Sequence, residues 1–356
     1  MRKSVTIAAV GDILMWKSQI DAARQNGSDV YSFAGVFAPV ASILQSADFT
    51  IGNLETTFSG SAQPFQIGSA RTGFPRFNCP DQLALDLRDA GFDLLTTANN
   101  HCLDGGWTGL CRTLDVLDRS QLAHTGTYRT REESLQPFIT EKNGIRIGVL
   151  AYTYGTNKQR IPLAKPWMVN LLQPDRITAE IASLRPQVDF LIVCLHFGVE
   201  FRYRPTLNQR RLVQSLLEAG SDVILGAHPH VLQPIVTPRI PTGGGSYRQT
   251  VAAYSLGNFT SARMLGIRQS QCGTILLITA EKDESQQAVV IPAISAVPTY
   301  CQRIAGKGQS RFRVMPLRGY LRNPDRHLPL PLRRKLQQSW NRVVGILGRR
   351  YVQGVK

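Results

Sequence analysis

Short apolar runs in this chain repeatedly end on residues able to hold a cation or move a proton. Gly11-Asp12 follows the first run, Gly52-Asn53-Leu54-Glu55 the second and Ala98-Asn99-Asn100-His101 the third. Later runs lead to His196, to His228-Pro229-His230 and to Gly257-Asn258. Carboxylates, amide oxygens and imidazoles without thiolate suit hard or borderline divalent ions, Mn, Fe, Zn or Mg, better than a sulfur-rich structural zinc site. Asp12, Asn53, Glu55, Asn100, His196, His228 and His230 are the candidate ligands, enough for one or two ions. A two-ion site lowers the pKa of a bound water toward ~7 and clamps the attacking and leaving oxygens of an in-line displacement. His101, beside Asn100, is the candidate to protonate a leaving group.

Each residue also has a plainer reading when taken alone. Asp12, Asn53, Asn100 and Asn258 fit ordinary turns, Glu55 fits a helix start, and His196 fits a hydrogen-bonded, half-buried histidine. Company changes the balance, because four of the six histidines stand at strand ends. His228 and His230 alternate in a segment expected to be extended, which would turn both to one side. His124 and His327 read as structural or surface histidines.

The elements that must position these groups follow from periodicity. Apolar strands are expected near 5–10, 48–52, 93–98, 145–153, 188–195, 222–226, 251–256, 274–280 and 289–294. Helices are expected near 35–46, 80–90, 106–119, 175–185 and 206–219, with Gly91 and Gly220 as left-handed caps. The pattern is mixed α/β, in which loops beyond the carboxyl ends of strands converge on one crevice. Pro238, Pro241 and Gly243-Gly244-Gly245 mark 236–248 as a flexible loop. From about 300 the strand pattern stops, which divides the chain into a domain at 1–300 and a basic extension at 301–356.

At 356 residues and 43% hydrophobic content the chain can build a sizeable core, which excludes disorder throughout. No apolar run reaches the ~18–20 residues of a membrane-spanning helix. Val5 to Val10, behind Met1-Arg2-Lys3-Ser4, is too short for a secretory signal, so a cytoplasmic start is expected. The six cysteines show no CxxC pair and read as reduced thiols. Of the net charge of +16, residues 311–356 supply +11, with ten Arg and two Lys against Asp325. A charge so confined argues against a nucleic-acid face spread over the domain. Within it, Leu332, Leu336, Trp340, Val343, Val344, Leu347 and Tyr351 recur at helical spacing. That stripe fits either an amphipathic helix packed on the domain or peripheral membrane contact through 332–351.

Six motifs carry a family likeness: GDILM (11–15), GNLE (52–55), ANNHCLDGG (98–106), LHFGVEF (195–201), AGSDVILGAHPHV (219–231) and YSLGNF (254–259). Over roughly 1–262, in this order, the chain resembles the bacterial capsule biosynthesis protein CapA family, associated with poly-gamma-glutamate. That family is similar to the calcineurin-like metallophosphoesterases. The resemblance implies a four-layer metallophosphoesterase-like fold, a β-sandwich flanked by helices, with metals at the loop crest. It further implies Asp12 and His230 on a first metal, Glu55 or Asn53 bridging, Asn100, His196 and His228 on a second, and His101 at the leaving group. Two departures stand out: Leu14 replaces the histidine of the phosphoesterase Asp-x-His, and Asn53 replaces a bridging Asp. The expected role is metal-dependent hydrolysis of a phosphoester or amide in the making of an anionic cell-envelope polymer, the partner being that polymer or a phosphorylated substrate. The alternative is a non-catalytic subunit in which metals order the loops while Arg202, Arg204, Arg210 and Arg211 bind the polyanion.

Overall fold

The computed structural model describes residues 2–25, 27–68, 72–243, 245–262, 264–283, 289–306, 309–322 and 330–352. Alternation along the strands explains the architecture. In Arg2–Ile13, Val5, Ile7 and Ala9 face one side and Ala8 and Val10 the other, and all five are buried. A strand apolar on both faces must be covered on both, and here a second sheet covers one side and helices the other.

The first sheet runs in the order Arg311–Pro316, Val289–Ile304, Cys272–Asp283, Arg2–Ile13, Phe49–Leu54, Leu94–Thr96, Ala123–Thr125, with Asn258–Thr260 joined to the end of Arg2–Ile13. Strands from Arg2–Ile13 onward in that order are parallel, and those before it antiparallel. The second sheet runs Ile235–Val236, Val251–Ala253, Val223–Ala227, Phe190–His196, Ile145–Thr153, Phe138–Lys142, parallel at its centre. Ile7, Ile51 and Ile278 of the first sheet pack against Ile147, Ile192 and Val223 of the second. Helices Ala34–Gln45, Gln82–Ala90 and Gly106–Arg119 cover the outer face of the first sheet through Phe37, Leu87 and Leu114. Helices Pro174–Leu184 and Leu207–Glu218 cover the second through Ile181 and Leu216. The result is a four-layer helix, sheet, sheet, helix sandwich. Gly91 (φ 107°) and Gly220 (φ 127°) take the left-handed conformation expected of them.

Two expectations need correction, and of the two readings of the amphipathic stripe the packed helix is the one observed. Strand pairing does not stop near 300: the first sheet continues through Val289–Ile304 and Arg311–Pro316, so a boundary at 300 would cut a strand. The segment 236–248 contains a hairpin, Arg239–Gly243 with Ser246–Gln249, pinned where the Arg248 guanidinium donates to Asp222 at 2.8 Å and to the Leu217 carbonyl at 2.6 Å. The amphipathic stripe is inside: in helix Leu330–Leu347 the side chains of Leu336, Val343, Val344 and Leu347 join the core of the first sheet, followed by Tyr351. With those residues buried, 332–351 has no apolar face left to insert into a membrane. No helix among the described residues is long and apolar enough to cross one. All six cysteines are free thiols and five are buried. His327 lies outside the described residues.

Candidate metal centre

Register brings the strand ends into line. Asp12 pairs with Asn53 on one side and Asn258 on the other, and Asn53 with Thr96. In the second sheet Thr153, His196 and Ala227 share a row, and His228 follows directly. Because the two sheets stack face to face, these rows meet at one edge of the sandwich. Gly11 permits the approach: a Cβ there would stand 1.9 Å from the Gly257 carbonyl oxygen.

The structure gathers Asp12, Glu55, His196, His228 and His230, each no more than 4% exposed. Donor atoms of Glu55, His228 and His230 lie within 4.8 Å of one another, and so do those of Asp12, Glu55 and His196. Glu55 is common to both groups. Neither of its carboxylate oxygens accepts from an N–H or hydroxyl group, although the side chain is fully buried, and only as a protonated acid would it donate to Asp12. The closest basic atoms, His196 Nε2 and His230 Nδ1, stand at 3.4 and 3.8 Å. Burial pushes the Glu55 carboxyl well above its ordinary range, and the carboxylates of Asp12 and Glu200 push it further. His228 Nδ1 is also without a partner. A buried carboxylate and imidazole left unpaired cost free energy that a cation between them would offset. The donor set therefore fits a divalent metal.

The imidazoles are held in different states. Burial, then the neighbouring histidines, keep His196 and His228 well below the ordinary histidine pKa. His230 is buried too, but Asp12 at 3.2 Å and Asn258 at 3.0 Å outweigh that and raise it. Neutral imidazoles at His196 and His228 are the ligand-competent form. His228 and His230 do not lie in an extended segment as expected: both have positive φ, 96° and 56°. The His-Pro-His turn, rather than strand alternation, places their ring centres 5.9 Å apart. Non-glycine residues in that conformation store strain.

Asn53 sits with the others, but its amide N–H faces Asp12 Oδ1 at 2.8 Å and His196 Nδ1 at 3.2 Å. In this arrangement it spaces two ligands. Asn100 Oδ1 meets His196 Nε2 at 2.6 Å, two atoms of ligand type at one point. His101 Nδ1 lies 2.7 Å from Asp104 Oδ2, which also accepts from the Phe77 backbone, so its Nε2 is left toward Asn157 at 3.4 Å. Leu14, where a phosphoesterase pattern would have a histidine, is buried and 1% exposed. Residues missing from the sequence-based set are Asp104, Asn157, Tyr154 and Glu200. Asp104 stands three positions after His101, a spacing that gains meaning only once the turn between them closes. Tyr154 was legible as another strand-end residue; its ring lies 4.5 Å from His228.

Fold and centre together define a four-layer α/β sandwich with a buried cluster of carboxylates and imidazoles where its strands end. Residues 6–263 match the family described as bacterial capsule synthesis protein PGA_cap, and the chain belongs to that family. It is 26% identical over 262 residues to the capsule biosynthesis protein CapA of Bacillus anthracis, covering 72% of this chain and 60% of that one. To the PGA biosynthesis protein CapA of Bacillus subtilis (strain 168) it is 28% identical over 251 residues, covering 70% and 61%. The chain thus spans about 60% of the length of these curated relatives. Among solved structures it is similar to a putative 5'-nucleotidase from Staphylococcus aureus, with 14% identity, TM-score 0.49 and coverage of 95% and 58%. It is likewise similar to the calcineurin-like phosphoesterase YfkN from Bacillus subtilis, with 12% identity, TM-score 0.44 and coverage of 97% and 99%.

Proposed function

We propose that the chain is a metal-dependent hydrolase that cleaves a phosphoester or amide during the making of an anionic cell-envelope polymer. One observation carries the reading: the fully buried Glu55 carboxylate, both oxygens unpaired, set among three imidazoles and Asp12. Asp12, Glu55, His196, His228 and His230 would hold one or two ions of Mn, Fe, Zn or Mg, with Glu55 shared and Asn100 alongside. Bound there, a divalent ion polarises the scissile group and brings water toward ionisation near neutral pH. The protein's own groups do the rest. Asn53 fixes the carboxylate of Asp12 and the ring of His196. Asp104 accepts from His101 Nδ1, so that Nε2 of the neutral ring is a free base; with a second proton taken up there, the imidazolium held by Asp104 would pass that proton to a departing oxygen or nitrogen. Tyr154, over His196 and His228, shields the imidazoles from water on one side.

Elemental analysis and turnover of ester and amide substrates, with Mn, Fe, Zn or Mg supplied, test this together. Metal bound by the wild type and lost with Glu55→Gln, together with turnover lost on His101→Ala while metal is kept, is the expected result. Absence of metal after reconstitution would overturn it. Metal without turnover would leave the alternative, a polymer-handling subunit, which the exposed Arg202, Arg204, Arg210 and Arg211 favour. Fractionation of producing cells tests the placement expected from the sequence, cytoplasmic, with membrane contact as the open alternative: recovery in the membrane fraction would overturn a purely cytoplasmic placement.

A further inference from the structure

Several arginines in the body of the sandwich are answered by a carboxylate: Arg112 by Asp81, Arg129 by Asp115 and Glu133, Arg176 by Glu180, Arg185 and Arg248 by Asp222. On one surface several basic groups converge without one. Arg202, Arg204, Lys335 and Arg342 are exposed and Arg268 half-buried, and among the described residues none of them makes an ion pair. They come from three separate segments that touch. The Arg342 guanidinium lies 4.2 Å from the Tyr203 ring centre. Tyr203 in turn donates to Gln269 at 3.3 Å, and Arg268 donates to Gln338 at 2.9 Å. Lys335, Gln338 and Arg342 are spaced by three, four and seven, so they share one stripe of helix Leu330–Leu347 beside its buried face.

The same loops lead to the metal centre. Two residues before Tyr203, the Phe201 ring lies 6.1 Å from His230. Before Arg268 in the other segment, Met264 accepts through its sulfur from Asn258, the hydrogen-bond partner of His230. Glu200, the carboxylate of the first loop, is near enough to the centre to act on Glu55 and His230. Arg202 and Arg204 of the same loop are exposed.

We propose that residues 198–206, 264–271 and helix Leu330–Leu347 form one basic track that docks an extended polycarboxylate and leads it to the centre beside His230. The polymer class rests on the functional reading above; the track itself does not need a catalytic metal. Guanidinium forks match carboxylates in a two-bond geometry. Nucleic acid is a poorer fit, because bases need free aromatic faces and Tyr203 is already covered by Arg342. A lipid surface is poorer too, because the apolar side of the helix is buried in the core. Much of the track lies beyond residue 263, where the family match ends.

The test is fluorescence anisotropy with labelled poly-L-glutamate of uniform length, measured on the full chain. Four changes together, Arg202→Gln, Arg204→Gln, Arg268→Gln and Arg342→Gln, should weaken binding roughly tenfold or more, with unchanged metal content and melting temperature. Wild-type affinity should fall steeply as salt rises, the mark of displaced counterions. A control of equal charge, Arg119→Gln, Arg131→Gln, Arg146→Gln and Arg303→Gln, should bind like the wild type. Equal loss in both sets would overturn the proposal, since net charge alone would then explain binding. So would tighter, arginine-dependent binding to phosphatidylglycerol vesicles or to oligo-dT that poly-glutamate fails to displace. Running the series in the Glu55→Gln background separates the two readings: binding kept there supports the track even where the hydrolase reading fails.

Discussion

Ionisable groups stand without an ion-pair partner in two regions of this protein, the edge of the sandwich where the strands end and the basic surface of the last helix. At the edge the unpaired group is Glu55, fully buried, with imidazoles no closer than 3.4 Å. On the helix it is Arg342, exposed, with a tyrosine ring for its neighbour. Water solvates the second at almost no cost, whereas the first has lost its solvent and received nothing in exchange. Burial therefore makes a single unpaired carboxylate informative about a ligand. An exposed guanidinium becomes informative only in company, when several converge from different segments on one path.

The largest effect expected at the buried region is on metal. Glu55→Gln with His230→Gln should leave no measurable bound ion by elemental analysis, exceeding the roughly 10–100-fold loss caused by removing an outer-shell partner. Chelator-stripped protein should respond in the opposite sense, with Glu55→Gln raising the melting temperature because an unpaired buried acid has gone; a fall would break the comparison. Next in size is the underside of the basic helix. Leu336→Ala should cost about 2–5 kcal/mol in denaturant unfolding, since Leu336 is a core residue rather than part of a detachable tail.

A smaller, pH-dependent effect sharpens the contrast further. In stripped protein Glu55 holds its proton above the ordinary 4.5 while the unfolded chain releases it. Stability should then decline as pH rises from 4.5, by up to about 1.4 kcal/mol per unit, and Glu55→Gln should flatten that slope. His196 and His228 act the other way: they stay neutral when folded, so stability falls as pH drops below 6.5. Melting temperatures across pH 4 to 8, roughly the range in which these groups titrate, read both. Smallest of all, Arg342→Gln should change stability by no more than about 0.5 kcal/mol.

Much of this was legible in the sequence. Strands bounded by apolar runs fell close to their places, and the rule that chemistry gathers past their ends located the centre. The turn that brings His228 and His230 together was not legible, because alternation reads as extended chain and carries no sign of two positive φ angles. The strand Val289–Ile304 runs ten residues past the expected end at 294, through Pro298, a residue type that ordinarily ends a strand. In Arg311-Phe312-Arg313-Val314 the alternation was present, with Phe312 and Val314 turned to the core, but its arginines drew the reading toward charge. Asp104 escaped because a carboxylate three residues from a histidine has no meaning until a turn closes.

The strand Arg2–Ile13 lies between Phe49–Leu54 on one side and Cys272–Asp283 on the other, with Asp12 at its end. A ribosome adds about 5–20 residues per second, so the first strand waits roughly 13–50 s for its antiparallel neighbour to be made. Until then the earliest ligand of the centre hangs on an open sheet edge, a template for pairing with other nascent chains. Any metal held beside Asp12 would thus sit on a finished sheet only once Cys272–Asp283 has been added.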